Sequence, residues 1–175
     1  MPNTALSLIA HEGKVMLKEV TGDILLTGAH AIAHGIAPND HFHQGLALSL
    51  REQYPAMYKD FRHYCQLDHP KAGTLWVWGG VRGVRVISLL TQDEASDRIA
   101  HPGKATTHNV NGALRELRKL LTEGAFESVA LPRLATGVGG LAWDDVKPLI
   151  ERHLGDLETP IYLYTTYRPG VKGKE

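Results

Sequence analysis

With one cysteine, Cys65, among 175 residues, no internal disulfide can form, and no Cys-x-x-Cys or His-Glu-x-x-His spacing supplies a ready zinc site. An excess of one charge is also missing. Lys plus Arg and Asp plus Glu each number 19, so no global positive field gathers nucleic acid or an anionic membrane surface. Apolar runs such as residues 84–90 fall far short of the roughly 20 residues that a membrane helix needs. The opening Met1-Pro2-Asn3-Thr4 lacks the basic flank and apolar stretch of a secretion signal. These absences predict a cytoplasmic chain with no membrane partner and no strong general nucleic-acid binding.

What is present is an ordinary globular composition, 43% apolar and 22% charged, at a length that suits one core. We expect one domain over residues 1–168, followed by a short flexible tail over 169–175, where glycines and mixed charges suggest fraying. Residues 6–9 and 15–20 read as two strands joined at His11-Glu12-Gly13, and residues 29–36 as a third strand. Between 46 and 64 the apolar positions recur three or four apart and are interrupted by Pro55, which predicts two helices or one broken helix. Residues 75–78 and 84–90 bracket Gly79-Gly80 as a hairpin of buried strands. A helix capped by Thr106 or Thr107 carries the stripe Val110, Ala113, Leu114, Leu117, Leu120 and Leu121 and closes near Gly124. A buried strand over 128–131, a glycine-rich loop over 132–141, a helix over 143–154 and a strand over 161–166 complete the chain. Strands alternating with helices predict an α/β fold with a mixed, largely parallel sheet covered on both faces. Such sheets place ligands beyond the carboxyl ends of their strands.

Two loops carry the chemistry. Pro132-Arg133-Leu134-Ala135-Thr136-Gly137-Val138-Gly139-Gly140-Leu141 follows a buried strand and precedes a helix, so its backbone N–H groups can turn toward an anion, with the helix dipole adding positive charge. A diphosphate suits it. The stretch from His34 through Asn39, Asp40, His43, Gln44 and Gly45 to Leu46 also lies between a strand and a helix. Its amides at Gln44, Gly45 and Leu46 can face phosphate or ribose, while Asn39 and Asp40 offer polar groups to sugar hydroxyls. Taken alone, each loop also fits a turn that binds nothing.

Gly22-Asp23-Ile24, the loop over residues 33–46 and the segment over 132–143 resemble, in order and separation, the three signature segments of the macrodomain family. The match spans nearly the whole chain and is closest to the branch containing terminal ADP-ribose glycohydrolases. The resemblance implies a three-layer α/β/α macrodomain that binds ADP-ribose or an ADP-ribosylated target and needs no cofactor. It implies that Asp23 accepts from the adenine amino group and that Ile24 supplies a neighbouring N–H. Gly45 and Leu46 would approach the distal ribose and nearby phosphate, and His34, Asn39 and Gln44 are further ligand-binding candidates of the same loop. Thr136, Gly137, Val138 and Gly139 would cradle the diphosphate, with Ala135 and Gly140 beside them as ligand-binding candidates, and Thr166, within residues 164–167, would lie beside adenine.

That branch uses a lysine as nucleophile and an assisting aspartate, and those positions fall here at Gln92 and Gly139. Neither can form the lysine adduct or move the proton. Asp40, His43 and Lys104, with His101 behind them, are the alternative catalytic candidates: one of the first two to orient or deprotonate water, the lysine to stabilise developing charge. His30, His34, His41 and His43 invite a metal reading, but one cysteine cannot reproduce the thiolate-rich zinc site of some macrodomains, and no metal is expected. The reactions left open are ADP-ribosyl hydrolysis, deacetylation of an acylated distal ribose and removal of a 1″-phosphate. The alternative is a reader module that binds without turnover.

Overall fold

Among the described residues, six strands run in the order β1-β6-β5-β2-β4-β3, of which β3 alone is antiparallel to its neighbour. They are β1 (Leu17–Gly22), β2 (Ala31–Ile36), β3 (Leu75–Gly79), β4 (Arg85–Leu90), β5 (Val129–Pro132) and β6 (Ile161–Tyr167). The computed structural model describes residues 16–80, 83–94 and 102–175. The expected strand over 6–9, its turn at Gly13 and His101 therefore lie outside the described residues.

Both sheet faces are covered, which makes three layers. On one face, α3 (Thr107–Thr122) and α4 (Trp143–Leu154) lay Val110, Leu114, Leu117, Val146 and Ile150 over Ala31, Ala33, Ile87, Leu89 and Leu131. On the other, α1 (Gly45–Gln53) and α2 (Pro55–Asp68) bring Leu50, Met57 and Phe61 against Ile32, Ile36, Val86 and Leu90. Successive strand residues point to opposite faces, which explains why the alternate positions of β2 belong to two cores. Pro55 opens α2 rather than kinking one long helix, since its missing N–H is harmless in the first turn. The Thr106 hydroxyl caps α3 by accepting from the Asn109 N–H at 3.1 Å, as expected. Among the described residues no helix is long and apolar enough to cross a membrane.

β2 pairs with β5 through only two residue pairs, Ala31 with Val129 and Ile32 with Ala130. The ladder then stops. Toward their carboxyl ends the two strands lead into the two glycine-containing loops, and a crevice opens where the sheet's winding reverses direction. Residues 169–175, expected to be a flexible tail, instead fold back on the β1 edge. Gly173 is buried there, and the Glu175 carboxylate accepts from the Gly28 N–H at 2.8 Å and the Tyr164 hydroxyl at 2.6 Å.

Candidate functional site

The crevice has a volume of about 460 Å³. One wall is the loop after β2. Two of its residues, Asn39 (φ 59°) and Phe42 (φ 53°), adopt left-handed backbone, which costs a side-chain-bearing residue about 1–3 kcal/mol unless its surroundings fix it. Asp40 does part of that fixing: its carboxylate accepts from the Ala37 N–H at 3.0 Å and the Phe42 N–H at 2.8 Å. Phe42 does the rest, with its fully buried ring set edge-on to His34 at 5.5 Å and tilted against Phe61 at 5.1 Å. The loop is therefore anchored rather than solvated, and it delivers His41, His43, Gln44 and Gly45 to the cleft. Gln44 gives no side-chain cap to α1, so the first-turn amides of that helix remain available to a ligand.

The facing wall is the loop after β5. Ala135 takes a left-handed conformation (φ 63°), and the Leu141 N–H returns to the Ala135 carbonyl at 3.0 Å, closing a tight turn. Residues 135–139 line the cleft. Gly139 is buried, and a Cβ built on it would meet the Ala135 carbonyl oxygen at 2.7 Å and the Ala105 Cβ at 2.8 Å. Gly137 by contrast has open space around it. Pro102 lines a third side, and the stretch that follows it is pinned to this loop by the Ala105 N–H donating to the Gly139 carbonyl at 2.9 Å.

The floor contains His34, which is 1% exposed. Its Nε2 lies 2.9 Å from the Ser88 hydroxyl, its Nδ1 has no partner among the described residues, and burial lowers its pKa to about 3, so the ring is neutral. His41 stacks on His43, with centroids 5.5 Å apart and planes 8° from parallel. Desolvation first, then the positive charge of Arg62, lowers the His41 pKa. At the far end Tyr164, Thr165 and Tyr167 close the cleft. The Tyr164 hydroxyl is held neutral, its pKa pushed up to about 12 by burial and then by its bond to Glu175.

Most of the residues singled out from sequence meet here: His34, Asp40, His43, Gln44, Gly45 and Leu46 on one side, and Ala135, Thr136, Gly137, Val138 and Gly139 on the other. Six others do not line the cleft. The Asp23 carboxylate is engaged by the N–H groups of Leu25 and Gly170, and Ile24 is buried in the core behind it. Asn39 turns away, its amide donating to Glu94 and its carbonyl accepting from Arg62. Gly140 (φ 77°) closes the loop by donating to the Gly137 carbonyl at 3.1 Å. Lys104 is exposed, and its carbonyl accepts from the Asp93 N–H at 3.0 Å. Thr166 is exposed, and its neighbours Thr165 and Tyr167 line the cleft in its place.

Arg133, His41 and Gln92 line the cleft as well but were not among the expected site residues. Gln92 is 3% exposed and its Nε2 donates to the Gly103 carbonyl at 3.1 Å. Its place where the resemblance would put a lysine is a visible signal. His41 carried one too, in its spacing from His43. Among the described residues no three His, Cys, Asp or Glu side chains converge as metal ligands.

No family model matches the chain. It is 25% identical over 168 residues to the DNA ADP-ribosyl glycohydrolase of Mycobacterium tuberculosis, covering 91% of this chain and 46% of that protein. The chain thus spans less than half the length of the curated relatives it matches. Among solved structures it superposes on the macrodomain of Thermus aquaticus DarG with a TM-score of 0.74 at 24% identity, covering 85% of this chain and 97% of that one. It also superposes on Thermosipho africanus DarTG in complex with ADP-ribose, with a TM-score of 0.75 at 20% identity, covering 89% of this chain and 42% of that one. Together with the three layers, the strand order and the crevice at the β5/β2 seam, these likenesses establish that the chain has the macrodomain fold.

Proposed function

We propose that the cleft binds ADP-ribose and that the protein hydrolyses the bond between its distal ribose and a modified target, with nucleic acid the target class that the relatives' activities favour. The observation that carries this is the pair of facing loops: uncapped α1 amides at Gln44–Gly45 opposite the 136–139 turn, across a cleft of about 460 Å³. That arrangement supplies backbone donors from two sides to a diphosphate. The adenosine half would then extend toward Tyr164 and Tyr167, and the distal ribose toward His43 and Asp40. Asn39, Lys104, Gly140 and Thr166 would support the walls rather than touch ligand.

Holding the ADP half in place aligns the distal C1″ bond with a water, which is how remote binding energy becomes rate. His43 is the proposed base. It takes a proton from the water whose oxygen bonds to C1″ as the target departs. Asp40 holds the loop that presents His43. The buried glycine at 139 leaves no room for a carboxylate there, and Gln92 is no nucleophile, so attack is by water directly rather than through a lysine adduct.

Calorimetry with ADP-ribose, using ADP and AMP as controls, tests binding. Release of ADP-ribose from a modified single-stranded oligonucleotide, compared with a modified peptide, tests the reaction and the target class. Binding with no release from either substrate would instead support a reader module. No heat with ADP-ribose would overturn the reading altogether.

A further inference from the structure

Asp23 follows β1 beside the cleft's Tyr164 and Tyr167 end, yet its carboxylate is already engaged by the chain itself. Oδ1 accepts from the Leu25 N–H and Oδ2 from the Gly170 N–H, each at 3.0 Å, while the Asp23 N–H donates to the Val171 carbonyl at 2.7 Å. The segment that supplies Gly170 is fitted, not draped. Gly22 and Gly173 interlock so closely that a Cβ on Gly22 would come within 2.7 Å of the Gly173 nitrogen. A Cβ on Gly173 would meet Val20 Cγ1 at 2.4 Å and the Tyr164 ring and hydroxyl at 3.0 Å. Farther along, the Glu175 carboxylate accepts from the Tyr164 hydroxyl, the Gly28 N–H and the Thr27 hydroxyl. Three separate fastenings thus hold residues 168–175 in place and set a backbone N–H on Asp23.

An N–H seated on that carboxylate is the internal counterpart of a base's exocyclic amino group. While it is there, both oxygens of the Asp23 carboxylate are engaged by backbone N–H groups, and the residue is 8% exposed and outside the cleft lining. We infer that residues 168–175 form a strap that makes the cleft tolerant of the nucleobase: with Gly170 on Asp23, the site does not read the amino group of adenine. Affinity then rests on the diphosphate, the riboses and the aromatic face of Tyr167, which is 66% exposed. This inference rests on the proposed ADP-ribose reading.

The test is calorimetry on the full chain with ADP-ribose and with its inosine analogue, in which an oxygen replaces the amino group. The wild type should bind the two within about twofold of each other. Glu175→Ala, which removes one fastening, should gain a preference for ADP-ribose of about tenfold, the worth of one hydrogen bond to a charged acceptor. Adding Asp23→Ala should erase that preference. Gly173→Val, whose side chain has no room between Val20 and Tyr164, releases the strap by an independent route and should show the same gain. A tenfold wild-type preference for ADP-ribose that Asp23→Ala abolishes overturns the inference alone, as does the absence of any gained preference in both strap variants. Failure of every protein to bind either ligand overturns the ADP-ribose reading itself, a separate and recognisable result.

Discussion

Gln92 donates from Nε2 to the Gly103 carbonyl at 3.1 Å, so a buried amide just past β4 fastens the segment that in turn holds the glycine-rich loop through Ala105 and Gly139. The residue at the position where the macrodomain resemblance would put a lysine nucleophile is here a structural clasp. Gln92→Leu should leave the Gly103 carbonyl without that partner, lowering stability by about 1–3 kcal/mol and weakening ADP-ribose binding along with it. Urea denaturation and calorimetry on the same preparation check this; unchanged stability would show that the clasp contributes nothing.

Gly137 and Gly139 should separate binding from folding. Gly137 has open space around it, so Gly137→Val should fold with near wild-type stability but lose most ADP-ribose affinity, because the side chain projects where the diphosphate is placed. Gly139→Asp meets the Ala135 carbonyl and Ala105, so it should destabilise the domain and gain no turnover despite supplying a carboxylate. Thermal melts beside a release assay read both.

Asp40 and His43 should likewise part. Asp40→Ala frees two N–H groups of a strained loop and should cost about 1–3 kcal/mol of stability, with binding and turnover falling together. The exposed His43 should tolerate alanine within about 0.5 kcal/mol. His43→Ala should reduce turnover by about a hundredfold, the worth of a general base, and affinity far less.

His34 predicts a pH dependence. Its pKa falls from 6.5 to about 3 on folding because burial disfavours the charged ring, so the unfolded chain binds a proton that the folded one refuses. Stability is fully present above the unfolded value. Below it the His34 contribution should be lost at up to about 1.4 kcal/mol per pH unit, until the pH approaches 3. Denaturant melts between pH 7.5 and 5.5 should therefore show a shallower decline for His34→Gln than for the wild type. Parallel curves would mean that the ring accepts a proton in place.

The elements that could be read from the sequence were those specified locally. Thr106 before an unbroken apolar stripe marked α3, Asp144 and Asp145 marked the first turn of α4, and Pro55 divided α1 from α2. The two loops were legible for the same reason: each is a run of turn-forming residues between a buried strand and a helix. Asp23 and the segment after Arg168 were not, because what they do depends on each other across almost the whole chain. Nothing near Asp23 announces that Gly170 will occupy it, and a segment with glycines and mixed charge reads as loose until Gly22 and Val20 are found beneath it. For Lys104 and Asn39, proximity in sequence fixes the loop to which the residue belongs but not the side on which it emerges.

The two residue pairs that join β2 to β5 link positions nearly a hundred residues apart. Neither wall of the cleft faces its counterpart until the first and second halves of the chain have docked. Contacts of such long sequence separation form late and slow the folding of domains that depend on them. Competence to bind is thus acquired at the close of folding, and no fragment holding one loop alone should retain it. A ligand bridging that seam stabilises the native sheet as a whole against global unfolding, so its effect should appear in the cooperative melt of the entire domain rather than in the local order of either loop.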